Sequence, residues 1–168
     1  RRGRLYCAYA DEVIDESNNS DILVRFSDDN GTNWSQPVRV NDDTGINSQF
    51  FQDISVDPVT GNVFLSWYDA RNDIGPGGIN SDGLVNTDVQ VFMSGSIDGG
   101  LTFAPNQLVS AGASNQVRDV NDPGNDFGDY AGVAAYNNVV YVVWADNSNS
   151  TADNPGGNAT FEVYTSRV

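Results

Sequence analysis

The stretch Ser96-Ile97-Asp98-Gly99-Gly100-Leu101-Thr102-Phe103 decides the fold, together with an earlier relative, Ser27-Asp28-Asp29-Asn30-Gly31-Thr32-Asn33-Trp34. Both read Ser-x-Asp-x-Gly-x-x-aromatic, a spacing suited to a tight hairpin. The Asp carboxylate can accept backbone N–H groups inside the turn, and the Gly takes the positive φ that other residues resist. Ser27, Asp29, Gly31 and Trp34 match Ser96, Asp98, Gly100 and Phe103, with Asn33 standing where the second stretch has Thr102. Two occurrences at matching places make a repeat.

Working outward, short β-prone runs at 5–10, 22–26 and 36–40 surround the first hairpin, and runs at 50–56, 63–68, 89–95 and 106–109 surround the second. Runs at 130–135, 139–144 and 160–165 follow without a third hairpin. Turns at 57–62 and 136–138 join strands directly, and turns replace helices throughout. The strand ends Tyr9-Ala10-Asp11, Trp67-Tyr68-Asp69 and Trp144-Ala145-Asp146 align, each acid expected just beyond its strand.

A supersecondary unit repeated in this way signals a solenoid, propeller or array. Four antiparallel strands per unit select the β-propeller, because a lone four-stranded sheet must bury its faces against neighbours. The expected fold is therefore all-β, a single partial propeller over 1–168 with about three four-stranded blades, six when whole. Blade one spans 4–41 and lacks its first strand, blade two spans 50–110, and blade three spans 128–168 and lacks its last. A ring needs four to eight blades, so the remainder is expected from a longer protein, with a second copy of the chain as the alternative.

The 168 residues carry a net charge of −15, with no Lys, no His and eight Arg as the only side-chain cations. So acidic a surface disfavours nucleic acid and anionic membranes, and no apolar run approaches a membrane span. Without His, Ser-His-Asp and Cys-His catalysis and the usual Zn²⁺ sites are excluded, which leaves carboxylates, Tyr and Arg for any chemistry. Cys7 is alone in an alternating apolar run and is expected to be buried and inert.

The two hairpins resemble the Asp-box, or bacterial neuraminidase repeat, of sialidases and of many secreted propellers that are not sialidases. The segments 50–73 and 127–146 also look like the repeats of secreted sialidase-like proteins. In that family the boxes join the third and fourth strands of a blade, at the periphery and away from the active face. The resemblance thus implies a structural role for Ser27, Asp29, Gly31, Trp34, Ser96, Asp98, Gly100, Thr102 and Phe103, and a secreted, cell-surface or periplasmic location. Active sialidases would further need three arginines on the substrate carboxylate, an Asp acid/base, a Tyr/Glu pair and an Arg-Ile-Pro motif; that motif is absent from this chain.

In a four-stranded meander the connections alternate between two ends, so the long loops 11–20, 41–49, 69–87, 110–129 and 146–159 gather opposite the boxes. They are rich in Asp and hold two internal cations, Arg71 and Arg118. Asp69, Arg71, Arg118 and Tyr130 are the candidate catalytic residues, with a salt-bridged strand end as the competing role for Arg71. Asp119, Asp122, Asp126 and Asp129 form a candidate Ca²⁺ set, hard oxygens along a Gly-containing loop, against a solvated turn-rich loop. Tyr68 and Tyr130 are expected to face a ligand, while Trp34, Trp67, Trp144 and Phe103 are expected to pack between blades. The functional expectation is a scaffold for a glycan or an extracellular protein, without catalysis in this chain alone. The alternative is part of an exo-sialidase-type glycoside hydrolase completed by further blades.

Overall fold

The computed structural model describes residues 3–12, 19–73, 84, 86–116, 127–128, 130–157 and 160–168. Eleven strands run through them: β1 (Leu5–Glu12), β2 (Ser20–Ser27), β3 (Val38–Arg39), β4 (Gln49–Val56), β5 (Val63–Asp69), β6 (Asp88–Ser96), β7 (Gln107–Leu108), β8 (Ser114–Asn115), β9 (Gly132–Tyr136), β10 (Val139–Asp146) and β11 (Glu162–Arg167). They form three antiparallel sheets ordered β1-β2-β3, β4-β5-β6-β7 and β11-β10-β9, with β8 pairing the start of β6. Sequence neighbours pair throughout the main paths, as a meander requires.

Period-2 alternation stacks the sheets. In β5, Val63, Leu65 and Trp67 turn toward the first sheet and join Ile22, Val24, Val40 and Phe92 in one core. Tyr68, one step out of phase, joins Val89, Val91, Met93, Phe127, Val140, Val142 and Trp144 in a second core against the third sheet. The central sheet is thus buried on both faces, and each such aliphatic side chain contributes about 1.5–3 kcal/mol.

Where β4 meets β9, two sheet edges lie side by side and side chains replace a strand. The N–H of Val133 donates to Asp53 Oδ2 at 2.9 Å, that of Ala135 to Ser55 Oγ at 3.1 Å, and that of Asn137 to Asp57 Oδ1 at 3.1 Å. All three pairs have the same spacing of 80 residues. Asn138 adds a fourth donor to Asp57 at 2.7 Å. Alternate side chains of β4, with that of Asp57 just beyond it, therefore satisfy an otherwise free strand edge. β4 and β9 thus meet at the junction of the second and third sheets.

Four expectations need correction. Asp11, Asp69 and Asp146 lie inside their strands, because the ladders run to Asp11↔Asp21, Asp69↔Gln90 and Asp146↔Glu162. Residues 114–115, read as loop, pair with β6. Cys7 is exposed rather than buried, since β1 packs only through its other face. Trp34 remains 40% exposed, so of the three tryptophans only Trp67 and Trp144 pack between sheets as expected.

Candidate functional site

At one end lie the two hairpins and the short turns. Ser27 Oγ donates to Asp29 Oδ1 and accepts the N–H of Gly31, both at 2.8 Å, while Asp29 accepts the N–H of Asn33 at 2.8 Å. Ser96, Asp98, Gly100 and Thr102 repeat the pattern at 2.8, 2.8 and 3.0 Å. Gly31 and Gly100 share φ of 85°, which their turns require. The exchange of Thr for Asn is absorbed: the Asn33 amide reaches Asp29 Oδ2 at 2.6 Å, as the Thr102 hydroxyl reaches Asp98 Oδ2 at 2.6 Å. Both carboxyls are held below their ordinary range, Asp29 chiefly by the Asn33 N–H and Asp98 chiefly by the Thr102 hydroxyl. The Ser, Asp and Thr or Asn side chains of these motifs are thus turned inward on the turn itself, while Arg4 ties the two hairpins together by donating to Asp28 Oδ1 and to the Gly99 carbonyl, both at 2.7 Å.

At the opposite end, Asp69 and Arg71 come together, but as a clasp. Arg71 donates to Asp69 Oδ2 at 2.7 Å, to Asp42 Oδ1 at 2.8 Å and to Asn106 Oδ1 at 2.8 Å, and its guanidinium lies 4.2 Å from the centre of the Phe92 ring. Burial works against the Arg71 cation, but the bonds to Asp69 and Asp42 outweigh it and hold it protonated. Burial likewise opposes ionisation of Asp42, and the Asn106 N–H with Arg71 overcomes it, so that carboxyl sits below its ordinary range. Asp69 also accepts the indole N–H of Trp67 at 2.8 Å and the N–H of Arg71 at 2.8 Å. Next to this clasp, Asn41 bridges Asp21, Asp43 and Gln49 at 2.7 Å each, and Arg39 pairs with Asp21 at 2.7 Å. The network seals the loop end of the junction between the first and second sheets.

A groove opens at the same end beside the inner strands. It encloses about 460 Å³ and is lined by Ala10, Phe50, Phe51, Gln52, Asp53, Tyr130 and Ala131. Its wall is made by a β-bulge: Phe50 pairs with Tyr68 and Asp53 with Ser66, so Phe51 and Gln52 together face the single residue Trp67. Phe51 takes φ of 51°, a left-handed conformation that costs a β-strand aromatic about 1–3 kcal/mol. Bulges of this kind re-aim side chains, and here the Phe51 ring is left 42% exposed. Tyr130 is 88% exposed across the groove. Asp53 is not a free acid, since its oxygens accept the N–H groups of Ile54 at 2.8 Å and Val133 at 2.9 Å.

Of the residues singled out by sequence, Tyr130 lines the groove, while Asp69 and Arg71 serve the clasp. Tyr68 does not face a ligand: it is 1% exposed, and its hydroxyl bonds the N–H and carbonyl of Ala145 at 2.9 Å. Burial pushes its phenol far above the ordinary value. Arg118, Asp119, Asp122, Asp126 and Asp129 lie outside the described residues. Among the described residues no group of three or more His, Cys, Asp or Glu side chains could hold a metal ion. Phe51 and Gln52 were not singled out, although the consecutive aromatics Phe50-Phe51 interrupt the alternation of that strand and so carry a signal of the bulge.

No family model and no curated protein matches this sequence. Solved structures match in fold. The Hadza microbial sialidase Hz136 superposes with a TM-score of 0.59 at 16% identity, over 99% of this chain and 33% of that one. The fold is a partial β-propeller. The α-L-arabinofuranosidase Arb93A from Fusarium graminearum, solved with an iminosugar inhibitor, gives 0.56 at 12% identity over 99% of this chain and 42% of its own. An α-L-arabinanase from Penicillium chrysogenum, solved with arabinobiose, gives 0.55 at 14% identity over 89% and 39%. The propeller blades described here thus span about a third to two fifths of the length of these structures.

Proposed function

We propose that this chain belongs to an Asp-box, sialidase-like propeller module of a secreted protein, and that it binds a glycan in the groove between Phe51 and Tyr130 without catalysis from its described residues. The observation that carries this is the groove: about 460 Å³ at the loop end of the inner strands, with two exposed aromatic rings on a bulged, strained wall. Pockets of this size, mostly apolar with few polar groups, are the usual form of small-ligand sites. The glycosidase fold neighbours support a carbohydrate over a protein ligand. The reading without catalysis is supported by the described catalytic candidates Asp69 and Arg71, which are bound to each other outside the groove, and by Asp53 standing as the one acid in its described lining.

The remaining blades are supplied by the rest of a longer protein. Leu5, Cys7 and Tyr9 stand in register where Val63, Leu65 and Trp67 stand in the next blade, as the pairs Leu5↔Ser27 and Val63↔Ser96 show. The latter three are buried against a neighbouring blade, and the former face the position of one more.

Binding of the full-length protein to an immobilised glycan panel tests the reading. Retention of at least one glycan is expected; retention of none sinks it. The second reading, a glycoside hydrolase completed by further blades, is favoured by the sialidase and arabinanase neighbours. Turnover of a fluorogenic sialoside or arabinofuranoside by the full-length protein would replace the scaffold reading with that one.

A further inference from the structure

We infer that the groove takes a sugar residue without an acidic group, with Phe51 and Tyr130 as its stacking faces and Gln52 as a hydroxyl partner; this rests on the glycan-binding reading above. The polar lining decides the charge of the ligand. A sugar carboxylate is held by bidentate arginine, and the described lining of the groove contains no cation. Arg71, the described cation at this end of the second blade, is bound to Asp42 and Asp69 and stacked on Phe92, between the first two blades. To release it would strip the buried Asp69 of a charged partner. The surrounding field is also adverse, because a protein of net charge −15 repels an approaching anion.

The same field does not oppose a cation, so the discrimination is against acidic sugars. Asp53 lies in the groove, where one oxygen accepts the N–H of Ile54 in its own strand and the other accepts that of Val133, holding β9 of the third blade to the second. For a sugar ring the lining supplies apolar faces and neutral hydrogen-bonding groups. The Phe51 and Tyr130 rings offer apolar faces to the C–H surface of a sugar ring. The Gln52 amide nitrogen donates to the Ala8 carbonyl at 3.4 Å, which leaves the side-chain oxygen to accept a sugar hydroxyl. The Tyr130 hydroxyl both donates and accepts.

Titration calorimetry on the full-length protein tests this with xylotriose, arabinotriose, cellotriose and lactose as neutral probes, and sialyllactose and digalacturonate as acidic ones. At least one neutral probe is expected to bind more tightly than both acidic probes. Tyr130→Ala should weaken that binding by about two- to tenfold, the range of an aromatic contact, and Tyr130→Phe should keep most of it. Tyr130 is almost wholly exposed, so its removal leaves the core intact; Phe51→Ala, with circular dichroism to verify folding, checks the other face. Tighter binding of sialyllactose or digalacturonate overturns the inference and leaves the glycan reading standing. Neutral binding that neither alanine variant alters also overturns it, because the sugar then sits elsewhere. Failure of all six probes on a protein that retains other glycans removes the inference alone, whereas failure of every glycan removes both.

Discussion

The indole N–H of Trp67 donates to Oδ2 of Asp69 at 2.8 Å, and Trp144 does the same to Asp146 at 2.8 Å in the following blade. The repeated Trp-x-Asp pattern therefore marks an internal partnership: the acid closes the strand end by holding the indole that fills the blade junction. Trp67→Phe keeps most of the apolar volume but removes the donor, leaving a fully buried carboxylate one hydrogen bond short. The expected loss is about 1–3 kcal/mol, read as a lowered urea midpoint with unchanged slope. An unaltered midpoint would show that the bond contributes nothing.

Asp57 accepts the N–H groups of Asn138 and Val59 at 2.7 and 2.8 Å, with further donors from Thr60 and Asn137. Burial opposes its ionisation, yet these donors outweigh it and hold the carboxyl far below its ordinary range. A carboxyl depressed in the folded state stabilises fully above its unfolded pKa of about 4, and that contribution is lost as pH falls toward the folded value. The denaturation midpoint should therefore drop on going from pH 7 to pH 3. Asp57→Asn should lower the midpoint at pH 7 and narrow the gap between the two conditions. If the gap keeps its full width in the variant, the acid sensitivity belongs to other groups.

The strand repeat was legible because its determinants are local: alternation, turn residues and the Ser-x-Asp-x-Gly hairpins each act within about ten residues. The Asp53, Ser55 and Asp57 ladder was not, because its partners lie 80 residues away and polar alternation reads equally well as a solvated face. Tyr68 and Asp69 looked ligand-facing for the same reason. Their place at a strand end is a local fact, while the contacts that bury them, Ala145 for Tyr68 and Arg71 with Trp67 for Asp69, come from tertiary packing. Phe51 shows the converse case, a local break in alternation that becomes the wall of a groove only with Tyr130 arriving from the next blade.

Cys7 reports on blade closure. It is exposed on the face of β1 that corresponds to the buried face of β5 carrying Leu65. In the 168-residue chain, a maleimide should modify this thiol stoichiometrically without denaturant. In a longer natural protein that supplies a preceding blade, the same thiol should react only after unfolding. Equal reactivity in both would mean that no blade covers this face.

Arg71 is expected to matter for stability and not for ligand. Its side chain is 14% exposed, and it joins Asp42 of the first blade to Asp69 and Asn106 of the second. Arg71→Ala removes three charge-assisted bonds and leaves Asp69 with the neutral donors of Trp67, Gln49 and its own chain. A loss of about 1–3 kcal/mol follows, with the first blade released before the second in hydrogen exchange. Affinity for a neutral oligosaccharide in the Phe51–Tyr130 groove should change less than twofold, since Arg71 is not among the residues that line it. A variant with normal stability and lost glycan binding would assign Arg71 to the ligand instead, and with it a place for an acidic sugar.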